Sequence, residues 1–187
     1  MSERISLVHR IWREFHWAFF LNVQGLIIAL NRFEALLDDD RLEDAEVELY
    51  GAETLLVSSA ASMELAASFS REAYETSVRV SMTRPKVASD DFSGLMSWEH
   101  AVLISVWRRL RPKFADLPPQ LSDAHSSFVA AYRRLAKSHA QVCSRFVSTQ
   151  SGSLRYEDRS AVETLRRFEK GRTNLIDPQR KGCPVDP

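Results

Sequence analysis

Seven residues between positions 125 and 146 decide what this chain is built from. His125, Phe128, Tyr132, Leu135, His139, Val142 and Phe146 follow one another at steps of three and four without a slip. That spacing gathers every side chain on one face of an α-helix and would scatter them across both faces of a strand. A second seam of the same kind runs through His9, Trp12, His16, Phe19, Val23, Leu26, Leu30, Phe33 and Leu37. Such faces need partner helices to leave water. The expected fold class is therefore all-α, a single-domain helical bundle of about five helices.

The remaining elements follow from their punctuation. The first helix is expected over about Glu3–Leu37, ended by Asp38, Asp39 and Asp40, whose like charges make a poor last turn. The second is expected over about Leu42–Tyr74. From Thr54 to Ser70 it consists of small and apolar residues with one charge, Glu64. Val78, Val80 and Met82 alternate with polar residues and predict an extended segment leading to Pro85, then a loop over 86–94. A third helix, Ser97–Leu110, is closed off by Pro112, Pro118 and Pro119. Ser122 or Asp123 caps the fourth. Ser151, Gly152 and Ser153 form a turn, and Ser160 with Glu163 makes a capping box that opens a fifth helix through about Gly171. The bundle domain so read covers residues 1–177, and 178–187, with Pro178, Pro184 and Pro187, is a flexible tail.

Composition narrows the setting. A chain of 187 residues buries a core without disulfides or structural metals. Lys+Arg and Asp+Glu are equal at 25 each, so no net field draws it to nucleic acid or to an anionic membrane, and neither is expected as a partner. Cys143 and Cys183 alone build neither a disulfide framework nor a cysteine zinc site; a reducing, cytoplasmic compartment is expected. The most apolar stretch, Trp17–Leu30, contains Asn22 and Gln24 and is too short to span a bilayer. Arg32 and Glu34 follow it in place of a small-residue cleavage site, which marks a core helix.

The candidate chemistry rests on histidines. All five lie in predicted helices and four lie on the two seams, where each buried imidazole needs a partner, whether a core hydrogen bond or a ligand. Glu64 is the second anomaly, a lone carboxylate that must be paired, protonated, metal-bound or exposed on a thin polar stripe. A di-iron site needs Glu-x-x-His on two helices, and the nearest feature, Glu99-His100, points its side chains about 100° apart. No Gly-rich phosphate loop, His-Glu-x-x-His helix or nucleophile elbow occurs, which disfavours nucleotide-dependent and classical hydrolytic chemistry. Arg134 and His139, four residues between them, resemble the Arg-x4-His motif of HEPN-type ribonucleases, although Leu135 stands where those carry a polar residue.

Three further segments carry a different resemblance. Phe19-Phe20-Leu21-Asn22-Val23-Gln24, then Ser93-Gly94-Leu95-Met96-Ser97, then Tyr132-Arg133 through His139 to Arg145 and Phe146, resemble in order the tryptophan 2,3-dioxygenase superfamily of helical haem proteins. The resemblance implies haem as cofactor and iron ligation by His139. It implies that Phe15, Phe19 and Val23 line the distal side, with Trp12, His16 and Glu64 as supporting groups. The small residues from Ser58 to Ala67 would offer a flat face to the macrocycle. Val23 stands at the place of that family's distal histidine and Ala101 at the place of its carboxylate-binding arginine, so recognition of free tryptophan is not implied.

The reading that results is a haem-dependent oxygenase-like protein using dioxygen or peroxide on a small aromatic molecule. The alternatives are a non-enzymatic interaction or regulatory bundle, whose histidines are core polar groups, and a HEPN-type ribonuclease, whose Arg134 and His139 would meet across a homodimer axis. Oligomeric state is left open, a homo-oligomer included.

Overall fold

The computed structural model describes residues 2–81, 97–146 and 161–178. Its helices are α1 (Ser2–Asp38), α2 (Leu42–Ala66), α3 (Arg71–Ala73), α4 (Arg79–Ser81), α5 (Trp98–Ala115), α6 (Ser122–Phe146) and α7 (Ala161–Ile176). A π-helical turn, Tyr74–Val78, joins α3 to α4, and a 3-10 turn, Pro119–Leu121, leads into α6. No strand occurs among the described residues, so the fold is all-α. The five long helices neighbour one another in the cyclic order α1, α2, α6, α7, α5 and back to α1.

Side chains fix the directions within this ring. Gln24 donates to Glu99, Arg109 to Glu34 and Asn31, and Lys113 pairs with Asp38, so α1 and α5 run parallel. Ser138 reaches Glu64, and Arg145 reaches the carbonyls of Ala67 and Phe69, which sets α6 parallel to α2. His125 meets Ile176, and Arg133 meets Asp177, at the far end of α7 from its start.

The first helix ends as the triple aspartate predicts, but by a geometric device. Asp40 adopts φ 57°, its N–H reaches the Leu37 carbonyl at 3.3 Å, and the Arg41 N–H reaches Leu36 at 2.9 Å. These two bonds satisfy the carbonyls that the last turn leaves open and reverse the chain into α2.

Four expected boundaries are corrected. The second helix stops at Ala66, eight residues before Tyr74, and restarts after Ser70, whose hydroxyl accepts from the Ala73 N–H at 3.1 Å. The extended segment expected from Val78 is helical as far as Ser81, because Val78 is fully buried against Ala67, Phe69 and Phe146 in a small satellite core. Pro112 does not end α5, which runs five residues beyond Leu110. The buried Phe114 and the Lys113 ion pairs hold its last turn despite the amide that proline lacks. The fifth helix opens directly after Ser160, as expected, but passes Gly171 to reach Ile176. Ser151–Ser153, Ser93–Met96 and the tail beyond Pro178 lie outside the described residues.

The main core unites Val23, Leu26, Leu30 and Phe33 with Leu49, Leu56, Trp107, Leu110, Phe114, Phe128 and Tyr132. Ala45, Ala52 and Ala60 are fully buried at close helix contacts, so the small residues of α2 serve helix packing. By length and composition Leu7–Asp38 is apolar enough to cross a membrane, which the shorter Trp17–Leu30 stretch did not suggest. In this fold 28% of its apolar window is buried, and Trp17, Leu21 and Ile28 face outward.

Candidate functional site

The histidines divide into two groups. His9 meets the Ser77 carbonyl at 3.1 Å and His125 the Ile176 carbonyl at 2.6 Å, so each has its bond from a neighbouring helical segment. His16 bonds the Trp12 carbonyl one turn back, 2.7 Å away, and its ring lies 4.4 Å from the Trp12 ring. His100 and His139 are different. The Nε2 of His100 is buried without a hydrogen-bond partner, and His139 takes part in no hydrogen bond among the described residues.

These two imidazoles sit in one polar cluster built from four helices. His16 comes from α1, His100 from α5, His139 and Tyr132 from α6, and Arg172 from α7. Ser97 caps α5 by accepting from the His100 N–H at 3.2 Å, which fixes the start of that helix and hence the register of His100. Tyr132 packs edge-on to Trp107 with ring centroids 5.2 Å apart, and the Trp107 indole N–H is likewise buried and unpartnered.

Electrostatics hold the cluster uncharged except at Arg172. Burial pushes the His139 pKa down to about 4, with the Arg172 charge and His16 acting in the same direction. Burial lowers His100 to about 4 as well, assisted by Arg172 and His139. His139 nevertheless keeps part of its surface accessible, so it is surrounded by protein without being sealed. Burial lowers His16 too, partly opposed by its bond to Trp12. Tyr132 is raised to about 12 by burial, against the pull of the Arg172 guanidinium within hydrogen-bonding reach. Both candidate ligand imidazoles are thus neutral at pH 7, the form that binds a metal.

The expected site residues are only partly brought together. His139 and His16 are in the cluster, and Trp12 stands against His16. Phe15 and Phe19 are half-buried on α1, while Val23 lies two turns beyond His16, buried in the main core with Leu26. Glu64 is exposed, and among the described residues its carboxylate accepts from the buried Ser138 hydroxyl at 2.6 Å, on a different side of α6 from the cluster. Arg145 is spent on the backbone carbonyls of Ala67 and Phe69. Arg134 is exposed on α6.

His100, Arg172 and Cys143 were not singled out as site residues from the sequence. Cys143 follows His139 by one helical turn on the same face, half-buried, its thiol pushed up to about 11 by burial. Among the described residues no group of three or more His, Cys, Asp or Glu side chains is placed to hold a bare metal ion.

Comparison with known proteins bears on this site. No solved structure matches the chain. It is 31% identical over 173 residues, 91% of its length, to a 3-methyl-L-tyrosine peroxygenase of Streptomyces lavendulae, and it spans 47% of that relative, about half. Residues 3–124, from α1 to the first turn of α6 and including His16 and His100, match the family model described as SfmD 3-methyl-L-tyrosine peroxygenase. The oxygenase class expected from the three sequence segments agrees with this at its coarser level. With its helical ring and imidazole cluster, the chain belongs to the SfmD 3-methyl-L-tyrosine peroxygenase family.

Proposed function

We propose that this chain binds haem at the imidazole cluster and takes part in peroxide-dependent oxidation of a small aromatic molecule, an aromatic amino acid of the tyrosine class. The observation that carries the reading is the pair His139 and His100. Both are held neutral inside the bundle, and neither has a ring nitrogen committed to a described neighbour at the site. In a purely structural bundle the buried His100 Nε2 would cost about 1–3 kcal/mol with nothing gained. A ligand that takes imidazole nitrogen removes that cost.

The donor set fits haem. In this reading His139 would hold the haem iron, and His100 is the second imidazole available to the group. Trp12, Phe15 and Phe19 supply apolar and aromatic surface from α1, and Trp107 supplies it from α5. Haem, when bound, provides the activation of peroxide that no amino-acid side chain provides. The chain's own residues position and exclude. Tyr132 is a phenol that stays protonated to about pH 12 and can donate or accept at its oxygen, and Arg172 places one fixed positive charge beside it. Membership of a peroxygenase family supports an oxygenase-type enzyme over a non-enzymatic bundle or a ribonuclease.

Purified protein mixed with haemin, followed by absorbance, tests the reading. A Soret band that saturates near one haem per chain is expected for wild type, for His125→Ala and for Arg134→Ala. His139→Ala is expected to lose tight binding while circular dichroism shows its helices intact. No haem bound by wild type, or an unchanged spectrum in His139→Ala, would overturn it.

A further inference from the structure

We infer that Arg172 is a carboxylate-binding residue at the imidazole cluster, taking either a propionate of haem or the α-carboxylate of an aromatic amino acid. The inference rests on the haem reading for the first of these sources and is independent of it for the second.

Arg172 reaches the cluster because α7 continues past Gly171. Its guanidinium carbon lies 5.2 Å from the centroid of the Phe168 ring, one turn back, and its N–H groups come within reach of the Tyr132 hydroxyl. It lies on α7, which packs against both α5 and α6, the helices that carry His100 and His139, and its charge lowers both imidazoles. Yet among the described residues no carboxylate forms an ion pair with it. Other arginines of the fold contrast with this. Arg109 has Glu34, Arg133 has Asp177, and Arg145 has two backbone carbonyls. Glu169, three residues before Arg172 on α7, acts on Tyr132 but makes no ion pair with the guanidinium.

Among the described residues no carboxylate pairs with Arg172 to cancel its charge. The two imidazoles are neutral, the phenol is neutral, and the Phe168 ring gives only a quadrupole. A half-buried guanidinium left this way carries a desolvation cost that an anion would remove. Guanidinium has five N–H donors in a rigid fork, and one phenol oxygen occupies little of it. The fork matches a carboxylate, which accepts two parallel bonds.

The test uses two matched probe pairs on the full chain: haemin against haemin dimethyl ester, and L-tyrosine against tyramine, each titrated by calorimetry into wild type and Arg172→Gln. Wild type is expected to prefer the free-carboxylate member of at least one pair by tenfold or more. Arg172→Gln is expected to lose that preference while binding the member without a carboxylate as wild type does. Loss in the haem pair assigns the propionate, and loss in the amino-acid pair assigns the substrate carboxylate. If wild type binds neither haem compound, the haem reading falls, and Arg172 is judged on the tyrosine pair alone. Should Arg172→Gln fail to fold, Arg172→Lys keeps the charge without the fork and is expected to weaken the preference at least threefold. No preference in wild type for either pair, or a preference fully kept in the folded variant, overturns the proposal.

Discussion

The Nε2 of His125 donates to the carbonyl oxygen of Ile176 across 2.6 Å, tying the first turn of α6 to the last turn of α7. The final carbonyls of a helix lack intrahelical donors, so this imidazole completes α7 where the helix itself cannot. Its ring also stacks on Phe114 of α5 at 4.9 Å, which joins three helices at one residue. Arg172 lies one turn before Ile176, so the same bond steadies the helix that brings a cation to the cluster. His125→Ala is expected to destabilise the fold by about 1–3 kcal/mol, combining a lost hydrogen bond with lost packing. Urea denaturation measures it; a loss below 0.5 kcal/mol, taken as about the noise of surface substitutions, would deny the bond this role.

Glycines within α1 and α2 should respond oppositely to alanine. At Gly51 an added Cβ meets nothing within 4 Å, so Gly51→Ala should gain about 0.5–1 kcal/mol from backbone entropy and helix propensity. At Gly25 the same atom comes within 3.3 Å of both δ-methyls of Leu55. There the gain is offset by displacement of a packed side chain, and Gly25→Ala should be neutral or destabilising. Thermal midpoints of the two variants decide the matter, and a larger gain at Gly25 than at Gly51 would contradict this packing.

Glu64 and Ser138 give a third expectation. The hydroxyl is buried and the carboxylate is exposed, so their bond links α6 to α2 at the protein surface. Glu64→Gln keeps an acceptor for the Ser138 proton and should stay within about 0.5 kcal/mol of wild type, while Glu64→Ala should lose about 1 kcal/mol. Neither should alter haem binding, because Glu64 lies away from the imidazole cluster. A changed haem spectrum in Glu64→Gln would return the residue to the site.

The unbroken seams of α1 and α6 were legible in the sequence because every step in them obeys one period, and they place His16 and His139 on inward faces. What escaped had local causes. Tyr74 and Val78 continue the apolar content of α2, which hides a break made by the Ser70 cap and a separate small core. Gly171 read as a helix end because glycine commonly follows one, and that reading cut Arg172 out of α7. In sequence His100 stands beside Glu99 and reads as half of a metal pair whose side chains diverge. Its importance comes from an unpartnered nitrogen that only packing against α6 and α7 reveals. Glu64 stood out by its neighbours in sequence and not by its surroundings in space.

The two central imidazoles make the fold sensitive to acid over a defined range. Free histidine side chains titrate near 6.5, whereas burial and the Arg172 charge hold His100 and His139 at about 4 in the native state. Between these values the unfolded chain binds protons that the folded chain refuses. Stability therefore rises with pH across this window, is complete with respect to these groups above about pH 7, and is lost as pH falls from about 6.5 towards 4. Each imidazole contributes a slope of at most about 1.4 kcal/mol per pH unit within the window. Carboxylates titrate in the lower part of the same range, so the isolating measurement is a difference. His100→Gln should flatten the dependence of unfolding free energy on pH between 5 and 6.5 by close to one proton relative to wild type. An identical slope in wild type and His100→Gln would mean that His100 titrates normally in the fold, and the neutral imidazole pair on which the haem reading depends would lose one of its members.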